Sequence, residues 1–391
     1  MLRTLEDLGD VAGRRVFVRA DLNVPLDGGA VVDDTRIVAT VPTLRALRDA
    51  GADLVIASHL GRPGGAPTPS LHLAPLAAPL TDALGEPVRA LEDPAPAALP
   101  DDPVVLLENL RFDAGEEADD PAFAGRLADL ADAYVDDAFG AVHRAHASVH
   151  ALPELMEASG RPAVAGRLVA GEVEVLTRLV DAPDRPFIAV LGGAKVSDKL
   201  GVIDRLIDRV DAILIGGAMA FTLIAADGGD VGDSLVEPDR FEEVRAARAR
   251  AADRGVDILL PVDVVAAGQI ADDAATTVVA ADAIPAGAMG LDIGPATRDA
   301  FAAVIAGARS VLWNGPMGVF EVPAFAGGTE AVAAAIAAAD AFSVVGGGDS
   351  LAAVRATGLT SAFDHLSTGG GASLEFLEGR PLPGLLVLEG P

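Results

Sequence analysis

The sequence predicts an α/β protein built on parallel β-sheets that helices cover on both faces. Short segments that are almost entirely apolar alternate with longer amphipathic segments, and turns that contain glycine separate them. Strands of this composition are typical of parallel sheets that are buried on both faces. The chain has 391 residues, which is the length of two or three domains. We therefore expect more than one such sheet.

Nine apolar segments are predicted to be strands, and they lie at 15–18, 54–57, 104–107, 133–135, 187–191, 212–215, 257–260, 310–313 and 342–345. Seven amphipathic segments are predicted to be helices, at 41–50, 121–131, 197–210, 239–254, 295–306, 329–339 and 350–357. Right-handed crossovers join parallel strands, so the loop after each strand lies at one edge of its sheet. Polar side chains in those loops are expected to lie close together.

Two sheets, and hence two domains, fit the sequence better than one. The segment 164–180 is predicted to form one long amphipathic helix, and the prolines in 181–186 end it. Clusters of arginine and histidine occur in the first half of the chain, whereas glycine loops with lysine occur in the second half. We predict an N-terminal domain at 1–170 and a C-terminal domain at 171–376.

The composition excludes several classes of protein. Hydrophobic residues make up 51% of the chain, which argues against disorder. A net charge of −29 argues against nucleic acid or an anionic membrane as a partner, because both need a basic surface. The absence of cysteine excludes disulfides, thiolate metal ligands and cysteine nucleophiles. Residues 1–10 lack a signal-peptide core, and no apolar run approaches the roughly 18 residues of a membrane span. We expect a soluble, cytoplasmic protein.

Basic side chains follow several strands in the first half of the chain. They are Arg19, Arg36, His59, Arg62, Arg111, His143, Arg144 and His146. Any one of them alone is more typical of a surface ion pair or, for histidine, of a structural role. Together at one sheet edge, guanidinium groups form a site for phosphate or carboxylate oxygens. Asp21 and Asn23 could accept hydrogen bonds from substrate hydroxyls, so this domain is predicted to bind a small polyanion.

The two lysines of the chain, Lys195 and Lys199, follow a pair of glycines after an apolar strand. We predict that they lie on one face of one helix and bind phosphate, although a biased nucleotide composition would also leave few lysines. Gly216 and Gly217 follow another apolar strand. Glycine at this position lets a ligand approach the backbone and the N-terminus of the next helix.

Three glycines, Gly346, Gly347 and Gly348, separate a predicted strand from Asp349 and Ser350. An aspartate at this position is most often a helix N-cap. Next to bound phosphates it could instead hold Mg²⁺, which typically takes one or two carboxylates together with substrate oxygens.

Two later segments are also rich in turn residues. The segment that runs from Asn314 to Glu321 contains two glycines and a proline, and Glu321 is a candidate to bind the hydroxyls of a ribose. The segment 367–373 contains Gly371 and precedes a short predicted helix. It is predicted to be a second anion-binding helix start, although a flexible linker would have a similar composition.

Eight motifs occur in one order along the chain: RADLNVP, SHLGRP, LLENLRF, HRAHAS, LGGAKVSDK, WNGPMGVFE, GGGDS and STGGGAS. In this combination the chain resembles the phosphoglycerate kinase family from residue 15 to residue 384. The resemblance implies two Rossmann-like three-layer domains that face each other across a cleft and are joined by an interdomain helix, with residues 377–391 packing back on the first domain. It also implies a monomer that catalyses Mg-dependent phosphoryl transfer from 1,3-bisphosphoglycerate to ADP, giving 3-phosphoglycerate and ATP.

The resemblance also implies roles for individual residues. Phosphoglycerate contacts fall on Asp21, Leu22, Asn23, Arg36, His59, Leu60, Gly61, Arg62, Arg111 and Arg144. Nucleotide contacts fall on Lys195, Lys199, Gly216, Gly217, Gly290, Asn314, Glu321, Gly346, Gly347, Gly348, Asp349 and Ser350. The implied catalytic groups are Arg36 and Lys195 at the transferring phosphoryl group, Lys199 at the nucleotide phosphates, and the helix starts at Gly348 and Gly371. Asp349 is the implied Mg²⁺ ligand.

Two other functions are compatible with parts of the sequence. A nicotinamide-dependent oxidoreductase could share the architecture, but no segment has its glycine fingerprint followed by an acidic residue. A non-catalytic relative could keep the same motifs and bind nucleotide without turnover. Ser350 stands where the family usually has threonine, a difference that preserves the hydroxyl group.

Overall fold

The structure is a computed structural model that describes residues 1–390. These residues form two compact units. Unit 1 comprises Met1–Glu174 together with the residues from Pro381 onward, and unit 2 comprises Val175–Arg380. The divisions lie a few residues after the predicted boundaries at 170 and 376.

Unit 1 contains a parallel sheet and its helices. The strands are β1 (Arg15–Ala20), β2 (Leu26–Asp27), β3 (Ala30–Val31), β4 (Asp53–Ala57), β5 (Arg89–Ala90), β6 (Val104–Leu106), β7 (Ala133–Asp137) and β8 (Ala163–Ala165). The helices are α1 (Thr35–Asp49), α2 (Ala77–Leu84), α3 (Ala114–Glu117), α4 (Pro121–Ala128), α5 (Ala151–Ala158) and α6 (Arg167–Asp181), within which the division between the units falls. Six strands pair in parallel in the order β5-β6-β4-β1-β7-β8, and β2 and β3 form a separate hairpin.

Unit 2 contains a second parallel sheet. The strands are β9 (Phe187–Leu191), β10 (Ala212–Ile215), β11 (Asp230–Val231), β12 (Asp257–Leu259), β13 (Asp263–Ala267), β14 (Thr277–Ala280), β15 (Ala283–Ile284), β16 (Met289–Ile293), β17 (Ser310–Asn314), β18 (Phe342–Gly346) and β19 (His365–Ser367). The helices are α7 (Leu200–Leu206), α8 (Met219–Ala226), α9 (Phe241–Arg254), α10 (Pro295–Ile305), α11 (Gly327–Ala338), α12 (Gly348–Thr357) and α13 (Gly371–Glu378). Its six-stranded parallel sheet has the order β12-β10-β9-β17-β18-β19, and β14-β13-β16 form a small antiparallel sheet. A final helix, α14 (Pro383–Leu386), belongs to unit 1.

The predicted α/β fold class with parallel sheets is confirmed. Each of the nine predicted strands is present, with ends within two residues of the predicted ones. The central strands are buried along nearly their whole length, as expected for sheets covered on both faces. The core of unit 1 includes a stacked pair, Phe17 and Tyr134, and that of unit 2 includes Trp313 beside Phe363.

Several helix predictions are wrong in their extent. Helix α1 begins at Thr35, six residues before the predicted helix 41–50, and α4 ends at Ala128, three residues before the predicted end at 131. The segment 164–180 begins as strand β8, and α6 starts only at Arg167. The predicted helix 197–210 is confined to α7, so Lys195 lies in a loop and Lys199 in the turn before the helix. The prediction that both lysines lie on one face of one helix is therefore wrong. A turn closed by the hydrogen bond from the Lys199 N–H to the Val196 carbonyl, at 2.9 Å, occupies the first part of this segment.

None of the helices that the structure describes between residues 1 and 390 is both long and apolar enough to cross a membrane.

Candidate active site

The carboxyl edge of the unit 1 sheet brings together the loops after β1, β4, β6 and β7. Arg19, the fifth residue of β1, is completely buried. Its Nη2 atom lies 3.0 Å from His59 Nδ1, and its Nε donates to the Ser148 hydroxyl at 2.8 Å. Parallel strands place their C-terminal ends at one edge, and these hydrogen bonds connect three of the loops there.

The loop after β1 is bound to the loop after β4 and to helix α1. Asp21 forms an ion pair with Arg36 from the first turn of α1. The side-chain oxygen of Asn23 accepts a hydrogen bond from the Gly61 N–H at 2.9 Å. The Leu22 N–H donates to the Ser58 hydroxyl at 2.9 Å. The residues predicted to bind substrate hydroxyls are thus held in place by the basic loops beside them.

The loop after β4 is also fixed from the side of β6. Arg111 donates from Nη1 to the Gly61 carbonyl at 2.8 Å, and its Nε lies 3.3 Å from Glu117 Oε1. Asn109 bonds both backbone groups of Leu60, at 3.2 and 2.8 Å. Gly61 has φ +62°, and a Cβ atom there would lie 2.7 Å from the Leu71 side chain. Only glycine fits this turn without a clash.

Two of the predicted arginines are exposed at this edge. Arg62 follows Gly61 and is open to solvent. Arg144 is also exposed, and its Nε donates to His143 Nε2 at 3.0 Å. Exposed guanidinium groups are available to a ligand, whereas Arg19 is enclosed by protein.

The electrostatics of the edge keep its buried histidines neutral. Burial, followed by the charges of Arg19, Arg111 and Arg36, holds the pKa of His59 well below its ordinary value. Burial, followed by the charges of Arg111, Arg19 and Arg144, lowers the pKa of His146 to about 4. Both rings are therefore uncharged near neutral pH, and the arginines beside them supply the positive field that keeps them so.

A cavity of about 420 Å³ lies in unit 2 at the ends of its strands. Gly217, Gly290, Glu321 and Asp349 line it, and all four are predicted nucleotide contacts. Most of the remaining lining is apolar, and it includes Phe221, Leu235, Ile270, Met289, Leu291, Val319 and Phe320. The sequence does not mark these apolar residues as ligand contacts, because side chains of this kind cannot be distinguished from ordinary core residues by pattern alone. A planar apolar group with polar ends fits such a lining.

Lys199 is a buried cation close to this cavity. It is 9% exposed, and its Nζ lies 3.5 Å from the Asn314 carbonyl. Burial lowers the pKa of Lys199 to about 8, while the charges of Asp198 and Asp349 oppose the shift. Lys195, in contrast, is exposed in the loop after β9.

Glycines let three loops approach one another closely beside the cavity. A Cβ atom on Gly217, where φ is +66°, would lie 2.6 Å from the Gly193 nitrogen, and one on Gly216 would lie 2.4 Å from Met317 Sδ. A Cβ atom on Gly290 would lie 2.2 Å from the Phe221 ring. Packing between loops therefore accounts for glycine at these positions, in addition to any role in ligand binding.

The side chain of Asn314, the last residue of β17, provides a hydrogen-bond donor that is unpaired within residues 1–390 and lies beside the start of α12. The Nδ2 atom of Asn314 is buried and has no hydrogen-bond partner among the described residues. Gly346 and Gly347 lie directly over it, since a Cβ atom on either would be 3.3 or 3.2 Å away. Ser350 has a structural contact, because its hydroxyl accepts a hydrogen bond from the Gly315 N–H at 2.6 Å.

Two helices begin at the predicted catalytic glycines. Helix α12 starts at Gly348, and α13 starts at Gly371. The free N–H groups and the helix dipole favour an anion at such positions. Gly348 has no atom within 4 Å of its ideal Cβ position, so the space beside the first of these starts is open.

Comparisons with known proteins agree along the whole chain. The family model described as "Phosphoglycerate kinase" matches residues 5–380. The chain is 57% identical to the "Phosphoglycerate kinase" of Salinispora arenicola, with 99% of each chain covered, and 55% identical to that of Streptomyces griseus, with 99% of this chain and all of the relative covered. The chain belongs to the phosphoglycerate kinase family. A phosphoglycerate kinase structure from Coxiella burnetii superposes with a TM-score of 0.89 at 39% identity, and one from Pyrococcus horikoshii with 0.84 at 32%; each covers 99% of this chain and 99% or 98% of its own.

Membership of the phosphoglycerate kinase family makes the chain an enzyme, a phosphotransferase. The matches extend over both units, so neither unit is an addition foreign to the family. No comparison supports a non-catalytic relative.

The residues near the cavity fit one mode of Mg²⁺ binding. Within residues 1–390 there is no group of three or more acidic or histidine side chains that could enclose a metal ion. Asp349 offers one carboxylate to the cavity, and Lys199 lies within electrostatic reach of it. Mg²⁺ commonly binds through one or two carboxylates, phosphate oxygens and water. The cavity thus has a donor set suited to a metal ion that arrives with a nucleotide.

Proposed function

We propose that this phosphoglycerate kinase binds 3-phosphoglycerate or 1,3-bisphosphoglycerate at the basic edge of unit 1 and ADP or ATP with Mg²⁺ in the cavity of unit 2. The observation that carries the proposal is the hydrogen-bonded network of Arg19, Arg36, His59 and Arg111 with the loops after β1 and β4. This network holds the segments that carry Arg36, Arg62 and Arg144, whose guanidinium groups reach solvent and suit a small molecule with a carboxylate and a phosphate. Phosphoglycerate contacts are assigned to Asp21, Leu22, Asn23, Arg36, His59, Leu60, Gly61, Arg62, Arg111 and Arg144.

The nucleotide is assigned to the apolar cavity of unit 2. Phe221 and Leu291 offer an apolar surface to the base, and Glu321 offers a carboxylate to the ribose hydroxyls. The buried amide of Asn314 and the start of α12 offer donors to phosphate. Lys199 adds a positive charge, and Asp349 would hold Mg²⁺, which supplies further neutralisation of the phosphate charge when bound.

The chemistry that we propose needs no general base. The acceptor is a carboxylate with a pKa of roughly 3.5, so it is already ionised at neutral pH. The barrier arises from an anion that attacks an anion, and fixed positive groups lower it. We assign Arg36 and Lys195 to the charge on the transferring phosphoryl group, together with the helix starts at Gly348 and Gly371. The neutral state of His59 and His146 at the edge of unit 1 is consistent with this scheme.

We also propose that the protein acts as a monomer in the cytoplasm and has no nucleic-acid or membrane partner. The net charge of −29 supports the absence of a nucleic-acid or anionic-membrane partner. Light scattering after size exclusion tests the monomer, for which the expected mass is 39.5 kDa.

The decisive experiment measures ADP formation from Mg-ATP with and without 3-phosphoglycerate. We expect ADP release that requires both 3-phosphoglycerate and Mg²⁺. ATP binding without turnover in the presence of that acid would contradict the proposal and favour a non-catalytic relative.

Lys195→Ala should lower turnover by at least about a hundredfold, the usual loss for one such charge. Arg62→Ala should instead raise the KM for 3-phosphoglycerate by about tenfold, and an unchanged KM would remove Arg62 from the site.

A further inference from the structure

A chain of buried polar groups runs beneath the basic edge of unit 1. Glu116, Ser148 and Arg19 are each fully shielded from solvent. The Ser148 hydroxyl donates to Glu116 Oε1 at 2.6 Å, and the Ser148 N–H donates to Glu116 Oε2 at 3.0 Å. The same hydroxyl accepts from Arg19 Nε at 2.8 Å. Arg19 Nη2 lies 3.0 Å from His59 Nδ1, so the chain ends at a residue assigned to the substrate.

The chemistry of its members sets the direction of every hydrogen bond in this chain. A guanidinium group has donors and no acceptor. His59 Nδ1 must therefore accept from Arg19, and the proton of a neutral ring must reside on Nε2. An ionised Glu116 only accepts, so the Ser148 hydroxyl donates to it and presents a lone pair to Arg19. Reversal of a link to Arg19 would place two buried donors face to face, and reversal of the link to Glu116 would place two buried acceptors face to face; both are costly.

The surroundings of His59 also disfavour its charged form. Arg19 from β1, Arg36 from α1, Arg111 from the loop after β6 and His146 from the loop after β7 all act on the ring and lower its pKa. On the far side of Arg19, burial raises the pKa of Glu116, whereas the charge of Arg19 and the two Ser148 donors oppose that shift. His59 keeps 7% of its surface exposed, and Nε2 is the ring nitrogen that remains for a ligand.

We propose that Glu116 and Ser148 are positioning residues which, through Arg19, hold His59 as the neutral Nε2–H tautomer and make it a permanent hydrogen-bond donor to the anionic substrate. A ring held in this state binds carboxylate or phosphate oxygens and cannot accept a hydrogen bond from a ligand. The inference rests on the proposed function, because it takes 3-phosphoglycerate as the ligand of His59.

The first test is ¹⁵N NMR of the full chain with ¹⁵N-labelled histidine. There are six histidines, and a His59→Gln variant identifies the signals of His59. We expect a protonated Nε2 and an unprotonated Nδ1 between about pH 5.5 and pH 8.5, a range in which an ordinary histidine titrates. A protonated Nδ1, or an ordinary titration with a pKa of about 6.5, would overturn the proposal whatever the variants do.

The second test uses variants of Ser148 and Glu116, the two members of the hydrogen-bond chain that do not touch His59. Ser148→Ala removes the link to Arg19, and Glu116→Gln replaces one acceptor with a donor at constant size. We expect both to give a mixture of His59 tautomers and to raise the KM for 3-phosphoglycerate by about fivefold, a change typical of one lost hydrogen bond. The KM for ATP and kcat at saturation should stay within about twofold. Ser310→Ala is the matched control, because the Ser310 hydroxyl is buried in unit 2 and has no hydrogen-bond partner within residues 1–390.

The outcomes separate this inference from the proposed function. If both variants fold and leave the His59 signals and the KM for 3-phosphoglycerate at wild-type values, the positioning role is wrong. If one variant fails to fold, the other and the wild-type spectrum still decide the question. If the wild type has the Nε2–H tautomer but does not phosphorylate 3-phosphoglycerate, the chain of hydrogen bonds stands and the substrate assignment fails.

Discussion

Lys199 is a cation that the fold keeps from water beside the cavity of unit 2. Its pKa, lowered to about 8 by burial, places its titration within the range of an ordinary assay. A phosphate group bound next to it would favour the charged form. The affinity of the free enzyme for nucleotide should therefore depend on pH in a range where ordinary lysine stays charged.

For the wild type we expect kcat/KM for ATP to fall about tenfold per pH unit above about pH 8, because Lys199 loses its proton and with it the attraction for phosphate. Lys199→Arg keeps its charge at these pH values, so its profile should lack this decline even if its activity is lower. The measurement is kcat/KM for Mg-ATP at saturating 3-phosphoglycerate from about pH 6.5 to 9.5. An identical decline in Lys199→Arg would assign the titration to another group.

Asp136 is a buried carboxylate whose negative charge is only partly stabilised by its surroundings in unit 1. Burial raises the pKa of Asp136 to about 7, and the Ala138 N–H, which donates to Oδ1 at 2.9 Å, and the charge of Arg19 oppose the shift. The folded-state pKa thus lies above the unfolded value. The ionised Asp136 carboxylate therefore destabilises the folded state. This destabilisation is absent below about pH 4, grows as the pH rises to about 7 and stays constant at higher pH.

Asp136→Asn should therefore make the protein more stable by about 1–3 kcal/mol at pH 8, and the difference should disappear near pH 4. Asparagine keeps the oxygen that accepts from the Ala138 N–H. Urea unfolding at several pH values measures the effect, and Asp129→Asn, at an exposed position, is the control with no expected change. A constant difference at all pH values would show that the carboxylate does not titrate as described.

At the scale of elements, the sequence predicts the strands of the two parallel sheets well and the small antiparallel sheet poorly. Strands such as β9 and β10 are wholly apolar and buried, so composition alone identifies them. Strand β16 contains Gly290 and Asp292, which are residue types depleted in strands. Strand β14 is largely exposed, so it lacks the apolar signal altogether.

The sequence predicts the charged residues and glycines of the candidate site, but it does not predict the apolar residues that line the cavity. Arginine and glycine at strand ends are recognisable because few structural roles need them there. The apolar wall formed by Phe221 of α8 and Leu291 of β16 has the same composition as a core. Lys195 is expected from the sequence to share a helix with Lys199, but it lies in a loop. The close approach of Gly217 to Gly193 beside that loop depends on the tertiary structure and cannot be recognised from the local sequence.

That close approach leads to a prediction about the loop after β10. In Gly217→Ala the new methyl group would lie 2.6 Å from the Gly193 backbone, at a φ of +66° that disfavours any side chain. We expect a loss of more than about 1 kcal/mol in stability and weaker ATP binding, because the loops that line the cavity must separate. Urea unfolding and ATP titration measure the two effects.

Gly125→Ala is the matched control for this change. Gly125 lies in α4, and a Cβ atom there would meet no atom within 4 Å, so alanine should be neutral or stabilise the helix by up to about 1 kcal/mol. Equal behaviour of the two variants would show that the loops of unit 2 have room for a side chain and are not held by backbone contact.

At the scale of the whole molecule, the negative net charge of the protein disfavours the approach of its proposed ligands. The chain carries a net charge of −29, yet the proposed ligands are anions. At physiological ionic strength the Debye length is about 8 Å, so long-range repulsion is screened while the arginines of unit 1 act on a ligand in contact. Adaptation to high salt and a GC-rich genome would each account for this composition, and activity from low to molar salt distinguishes them.

The path of the chain joins its two ends within unit 1. The Arg3 N–H donates to the Leu388 carbonyl at 2.9 Å, and Leu2 pairs with Glu389 in an antiparallel bridge. The Gly384 N–H donates to the Val142 carbonyl at 2.9 Å, and Leu388 is completely buried. The residues after Arg380 therefore complete unit 1, although the whole of unit 2 lies between them and the rest of unit 1 in the sequence.

Removal of the residues after Arg380 should accordingly destabilise unit 1 and leave unit 2 nearly unchanged. The deletion exposes the sites of three buried leucines, Leu382, Leu385 and Leu388, and should cost unit 1 about 3–6 kcal/mol. The single tyrosine, Tyr134, lies in unit 1 and the single tryptophan, Trp313, in unit 2. During urea unfolding, the ¹⁹F signal of fluorotyrosine at Tyr134 should change at lower urea than in the full chain, while Trp313 fluorescence keeps its midpoint. A shift of the Trp313 midpoint alone would contradict the assignment of these residues to unit 1.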